Sequence, residues 1–192
     1  MAREEMAAIW VPAAERLLQD LTGASAIASF EFTVRYSERS DDPRKTPFSA
    51  PASAVHGDFG PAQFKQKVHH LDAEAALQRV TGSKTPRRWR CFNVWQPISP
   101  PPYDSLLTVC DTRTVSADDL VVGMATAERP GEKFDVQLVG FKHRAEHRWA
   151  YCSDMGPQDI LVFSGFDPSC DSPYRIVPHS AFLAPGCPPN SI

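Results

Sequence analysis

No run of apolar residues in this sequence approaches the ~20 that a membrane-spanning helix needs; the longest, such as Ile160–Phe163, are a few residues long. No basic face is evident either. The 20 Lys and Arg residues are scattered among 23 Asp and Glu, the formal net charge is −3, and a nucleic-acid partner is therefore not expected. The five cysteines form no Cys-x-x-Cys pair and are odd in number, which excludes both a disulfide framework and a zinc ribbon. Cys91 and Cys110 lie within apolar runs and are expected to be small buried side chains. The first residues, Met-Ala-Arg-Glu-Glu, are acidic where a signal peptide needs positive charge and then an apolar stretch, so a cytoplasmic protein is expected. There is no internal repeat. What remains is a globular composition, 42% apolar and 22% charged over 192 residues, which suits a single domain spanning 1–192.

Periodicity divides the chain into a short helical start and a mainly β remainder. Ile9, Leu17, Leu18 and Leu21 fall near helical spacing and Thr22-Gly23 supplies a stop, predicting an N-terminal helix over 1–23. The alternation of Ile27, Phe30, Phe32, Val34 and Tyr36 predicts a strand over Ala26–Tyr36. Residues 37–53 are polar, hold three prolines and read as a flexible loop of the kind that serves as a lid or binding segment. A short strand is expected at Val55–Phe59 and a helix at Phe64–Val80. Strands then follow at Trp89–Trp95, Leu106–Cys110, Lys133–Val139, His147–Cys152, Asp159–Phe163 and Tyr174–Phe182. Pro97-Ile98-Ser99-Pro100-Pro101-Pro102 interrupts them, because its prolines have no N–H to give a ladder. Many short strands with turn punctuation point to a sandwich or jelly roll with flanking helices, not to a parallel α/β sheet.

The chemistry-bearing residues are few. In His56-Gly57-Asp58 an imidazole and a carboxylate stand two residues apart, so on an extended strand both point to one face. One histidine from a distant strand would complete a two-histidine, one-carboxylate triad, which leaves positions open on an iron ion. His179, 121 positions after Asp58 and beyond the β-rich middle, is the candidate for that third residue; the alternative is a structural histidine in a loop. His69 and His70 are adjacent on an expected helix, where neighbours point about 100° apart and do not share a metal easily. His143 and His147 are four apart, but Trp149 and Tyr151 suggest that His147 begins a strand, which spoils the helical pairing.

A set of longer motifs carries a resemblance. Asn93-Val94-Trp95-Gln96-Pro97-Ile98 is followed by Val109-Cys110-Asp111-Thr112-Arg113-Thr114-Val115 and by Asp118-Asp119-Leu120-Val121. His147-Arg148-Trp149-Ala150-Tyr151, Met155-Gly156-Pro157 and Pro178-His179-Ser180-Ala181-Phe182 complete the order. From about Trp10 onward the chain resembles the fungal secondary-metabolite hydroxylase/desaturase family, often described as similar to gibberellin desaturase or cephalosporin methoxylase. The resemblance implies a double-stranded β-helix, or cupin-like jelly roll, and an iron(II)- and 2-oxoglutarate-dependent dioxygenase. In that reading His56, Asp58 and His179 are the metal ligands and catalytic residues.

The resemblance also marks departures. The family begins well upstream, and it continues past a Pro-Pro region into Arg-x-Ser and a last strand. That arginine would grip the far carboxylate of 2-oxoglutarate through a bidentate contact. Here the sequence reads Pro188-Pro189-Asn190-Ser191-Ile192. With Ser191 at the serine position, Pro189 stands where the arginine would be and supplies neither charge nor donor. Arg175 or Arg148 is then expected to substitute, with Asn93 and Ser191 as further cosubstrate contacts; the alternative for Asn93 is to satisfy a strand edge. Arg148, Trp149 and Trp95 are expected either to line a substrate pocket or to be a surface arginine and core aromatics.

Three functions follow as expectations. The first is an oxidoreductase that hydroxylates, desaturates or cyclises a small secondary metabolite with iron and 2-oxoglutarate. The second keeps the metal without 2-oxoglutarate, as an isomerase or cyclase. The third is a non-catalytic metabolite-binding remnant whose exposed sheet edge pairs in a homodimer.

Overall fold

The computed structural model describes residues 3–29, 32–36, 50–60, 88–129, 132–169 and 176–184. The expected helix at Phe64–Val80, His69, His70 and the bulk of the 37–53 loop lie outside these residues. The chain divides into two compact units, 1–34 with 65–88 and 35–64 with 89–192.

In the first unit, helix α1 spans Arg3–Thr22, as the spacing predicts, and buries Ala14 and Leu18. It ends where Gly23, at φ +65°, returns its N–H to the Gln19 carbonyl at 2.9 Å. Glycine takes that left-handed position without the cost a side chain would meet. The strand expected at Ala26–Tyr36 is not present among the described residues. The helix takes up its hydrogen-bonding groups: Glu15 accepts from the Ser29 N–H at 2.9 Å, and Arg3 donates to the Phe32 carbonyl. Phe32 also packs against Trp10, with ring centroids 5.6 Å apart. An alternating pattern makes a strand only where a ladder partner exists, and here a helix is the neighbour. No described helix is long and apolar enough to cross a membrane.

The second unit is mainly antiparallel sheet. Its strands are β1 (His56–Gly57), β2 (Cys91–Trp95), β3 (Ser105–Cys110), β4 (Leu120–Arg129), β5 (Glu132–Phe141), β6 (Trp149–Tyr151), β7 (Leu161–Phe166) and β8 (His179–Leu183). Six of them form one sheet in the order β4-β5-β1-β8-β3-β6, and β2 pairs with β7 in a second. Strand β4 has no counterpart in the sequence reading. Strand β6 starts at Trp149 because His147 belongs to a turn, its N–H reaching the Arg144 carbonyl at 3.3 Å. Strand β8 starts at His179, directly after buried Pro178, whose missing N–H suits the first position of a ladder.

The register places six residues in one transverse row: Val121, Gly140, His56, His179, Val109 and Ala150. Paired residues project from the same face of an antiparallel sheet, so this row sets which face holds the site. In the small sheet Cys91 pairs with Phe166 and Phe92 with Ser164, leaving Gly165 as an extra residue. A Cβ there would lie 3.3 Å from Cys91 Sγ and 3.5 Å from Asn93 Oδ1. The bulge turns the strand at the one residue whose lack of side chain lets its neighbours close in. Phe59, Cys91, Cys110, Val115, Phe166 and Ile176 are among the buried side chains of this unit.

Candidate metal centre

Two strand positions and one just past a strand end converge. His56 opens β1, Asp58 follows it by two residues, and His179 opens β8 as the direct register partner of His56. One donor atom from each lies within 4.8 Å of the others. His56 Nε2 is 3.6 Å from Asp58 Oδ1, and His179 Nε2 is 3.4 Å from Asp58 Oδ2. Right-angled ligands about 2.1 Å from one ion are themselves ~3 Å apart, so the set matches a single small cation.

Both rings are held the same way. His56 Nδ1 lies 2.8 Å from the Ala54 carbonyl and His179 Nδ1 lies 3.0 Å from the Val177 carbonyl. Each carbonyl accepts the Nδ1 proton, which leaves Nε2 as the nitrogen that faces Asp58 and could ligate a metal once it carries no proton. The smaller sheet supplies the next layer. Asn93 and Phe163, register partners on β2 and β7, meet the two ends of the cluster. Asn93 Nδ2 donates to Asp58 Oδ2 at 2.5 Å, and the Phe163 ring stands edge-on to His179 with centroids 5.0 Å apart.

The protonation pattern follows from these contacts. Burial and the neighbouring His179 hold His56 below its ordinary value, which favours the neutral ring a metal requires. Burial would also lower His179, but pairing with Asp58 lifts it above its usual value. Burial would raise Asp58, and the His179 hydrogen bond with both imidazoles brings it down instead. The cluster is therefore a neutral imidazole beside an imidazole–carboxylate pair. A cation held there would compete with protons for the two Nε2 atoms and would take over the partnership with Asp58.

The other site expectations divide. Trp95 lines an apolar cavity together with Val109, the register partner of His179. Asn93 is brought to the cluster, where its amide holds the carboxylate. Trp149 is 40% exposed and, like the exposed Arg148, does not line that cavity. Arg148 is engaged through its backbone, with its N–H on Thr114 Oγ1 at 3.1 Å and its carbonyl accepting from Asp111 at 2.8 Å. Arg175 and Ser191 lie outside the described residues. Sequence reading missed Phe163, seen there only as part of an apolar strand, and the two backbone carbonyls, which no residue identity announces.

A second polar cluster went unread. Asp119 is fully buried at the start of β4. Its carboxylate accepts from the Ser116 N–H at 2.8 Å, from Arg144 Nε, and lies 3.1 Å from His147 Nε2. Burial alone would raise this carboxyl, but those hydrogen bonds bring it down to about 2. His147, expected to begin a strand, is thus a partner of a buried aspartate.

Known proteins share this arrangement of strands. The solved iron and alpha-ketoglutarate-dependent endoperoxidase NvfI superposes with a TM-score of 0.78 at 27% identity, covering 98% of this chain and 65% of that one. That likeness identifies the fold as the cupin-like jelly roll expected from the motifs. The hydroxylase/desaturase efuI of Hormonema carpetanum is 29% identical over 185 residues, 86% of this chain and 60% of the relative. The Fe(II)/2-oxoglutarate-dependent dioxygenase nvfI of Aspergillus novofumigatus is 28% identical over 176 residues, 91% of this chain and 59% of the relative. The chain thus spans about 60% of the length of these curated relatives. Across the whole of residues 1–192 it matches the family described as the oxidoreductase/YMDC permease-like domain, and it belongs to that family.

Proposed function

We propose that this chain carries the metal centre of a non-haem iron(II), 2-oxoglutarate-dependent oxygenase that hydroxylates, desaturates or cyclises a small secondary metabolite. His56, Asp58 and His179 are the ligands. The observation that carries the reading is that both imidazoles turn Nε2 toward one carboxylate while their Nδ1 atoms are tied to backbone carbonyls. When bound, iron with 2-oxoglutarate supplies the oxidising equivalent for a C–H bond. The protein's own residues do the rest. Asn93 keeps the Asp58 carboxylate oriented, Phe163 backs the His179 ring, and the second sheet excludes water from that side. A cytoplasmic setting belongs to this reading, supported by Cys110 and Cys152 being free thiols among the described residues.

Anaerobic titration of metal-stripped protein with iron(II), followed by 2-oxoglutarate, tests the proposal. Stoichiometric iron binding and a new visible charge-transfer band support it. Iron binding with no such band replaces it by the metal-dependent reading without 2-oxoglutarate. No iron binding, or undiminished stoichiometric iron in His56→Ala, overturns the metal assignment.

A further inference from the structure

We infer that the triad opens onto a pocket for an uncharged, hydrocarbon-rich part of the substrate, and that Ala150 sets how large a group enters. This names the substrate class of the site proposed above and rests on that reading. A cavity of about 130 Å³ is walled by Trp95 on β2, Leu161 on β7, Leu107 and Val109 on β3, Ala150 on β6, and Met155. An apolar cavity of ~150 Å³ admits benzene, so this volume suits one ring or a short branched alkyl group.

Its position follows from register. Residues two apart on a strand share a face. Asn93 touches Asp58, and two residues along the same strand Trp95 lines the cavity. Phe163 touches His179, and two residues before it Leu161 lines the cavity opposite Trp95. Val109 joins the two, being a cavity wall and the register partner of His179. The pocket is thus one side-chain step from the cluster, on its interior face.

Its chemistry follows from the wall. Among the described residues, no charged side chain lines it. The Tyr103 hydroxyl is turned onto the carbonyls of Ser99, at 2.5 Å, and Met155, at 2.8 Å, so the ring faces inward. A charged or strongly hydrogen-bonding group would enter without a partner, at a desolvation cost no contact here offsets. Ala150, Tyr151 and Cys152, which all line the cavity, are exposed on the outer strand and the turn after it, and they mark the entrance. Ala150 is the smallest wall residue and pairs with Val109 on the adjacent strand β3, which places it two strand spacings, ~10 Å, from β8.

Ligand-observed NMR on the full chain tests this, with toluene as the apolar probe, benzoate as its charged counterpart, and manganese(II) as a redox-inert ion for the triad. Toluene is expected to bind, benzoate at least tenfold more weakly, and bound manganese to broaden the toluene signals. Ala150→Phe should weaken toluene at least tenfold with manganese affinity and far-UV circular dichroism unchanged, while Ala150→Ser retains it. If Ala150→Phe does not fold, Leu107→Trp fills the same space from β3. Benzoate binding as well as toluene, toluene indifferent to the filled cavity, or toluene not broadened by bound manganese would each overturn the inference. Manganese failing to bind strikes the metal reading instead, and the loss of toluene in the filled variant still decides the pocket.

Discussion

The longest ladder and the shortest strand sit side by side in the same sheet. Strands β4 and β5 pair along ten residues each, from Leu120 with Phe141 to Arg129 with Glu132, yet carry none of the candidate site residues. Several of their apolar side chains are exposed, including Met124 at 66% and Leu138 at 54%. Strand β1 has two residues, and it presents His56 and leads to Asp58. Ladder length therefore does not set precision here. The cluster is held by packing and by hydrogen bonds that cross between sheets, whereas the hairpin is anchored at its base, where Asp119 binds Arg144 and accepts the Lys142 N–H through its carbonyl at 2.8 Å.

The strongest way to break this contrast is to disturb the packing beneath β1. A Cβ on Gly57 would lie 2.3 Å from Ile176 Cγ2 and 3.4 Å from Val139 Cγ1. Gly57→Val is therefore expected to destabilise the fold by ~3 kcal/mol in urea unfolding and to weaken iron binding with it. A stable Gly57→Val variant with native iron affinity would show that β1 tolerates displacement. Removing the cross-sheet contact is milder. Asn93→Ala should lower iron affinity about 10- to 100-fold by equilibrium titration, with thermal stability little changed, because the carboxylate loses its orienting donor.

Those two residues also show what could be read from the chain. Asn93 was visible as part of a motif, but a motif does not say whether its amide faces a cosubstrate or a ligand. Gly57 looked like a spacer in His-x-Asp, and only the neighbouring Ile176 makes its missing side chain a requirement. Strand β4 was overlooked because Gly123, Ala125 and Ala127 dilute its alternation, although Pro130-Gly131 is a turn signal between two runs. The opposite error occurred at Ala26–Tyr36, where good alternation met a helix and not a strand.

At the base of the hairpin the effect depends on pH. The Asp119 carboxyl is held at about 2, below the ordinary 3.8. A lowered acid contributes stability that is full above its unfolded value and lost as pH falls toward the folded one. Asp119→Asn should therefore lower stability at neutral pH and flatten the loss between about pH 4 and 2, as followed by circular dichroism. An acid-unfolding curve unchanged in that window would mean the network adds nothing. Smallest of all, Met124→Ser on the exposed hairpin should change stability by less than ~0.5 kcal/mol in urea unfolding and leave iron affinity alone. A large loss there would show that the hairpin face is covered in solution.

Strand patterning by itself narrowed the fold to a sandwich or jelly roll and paired His56 with Asp58, because residue type and period-two spacing are local properties. The jelly roll, His179 as third ligand and the iron chemistry were implied by the motif resemblance. Tertiary structure decided which nitrogen each histidine turns inward, that Asn93 serves Asp58, that Trp95 belongs to the cavity while Trp149 faces outward, and that His147 serves a buried aspartate. Each of those depends on the register between strands far apart in the chain, and register is set by packing across the two sheets, which no short stretch of sequence contains.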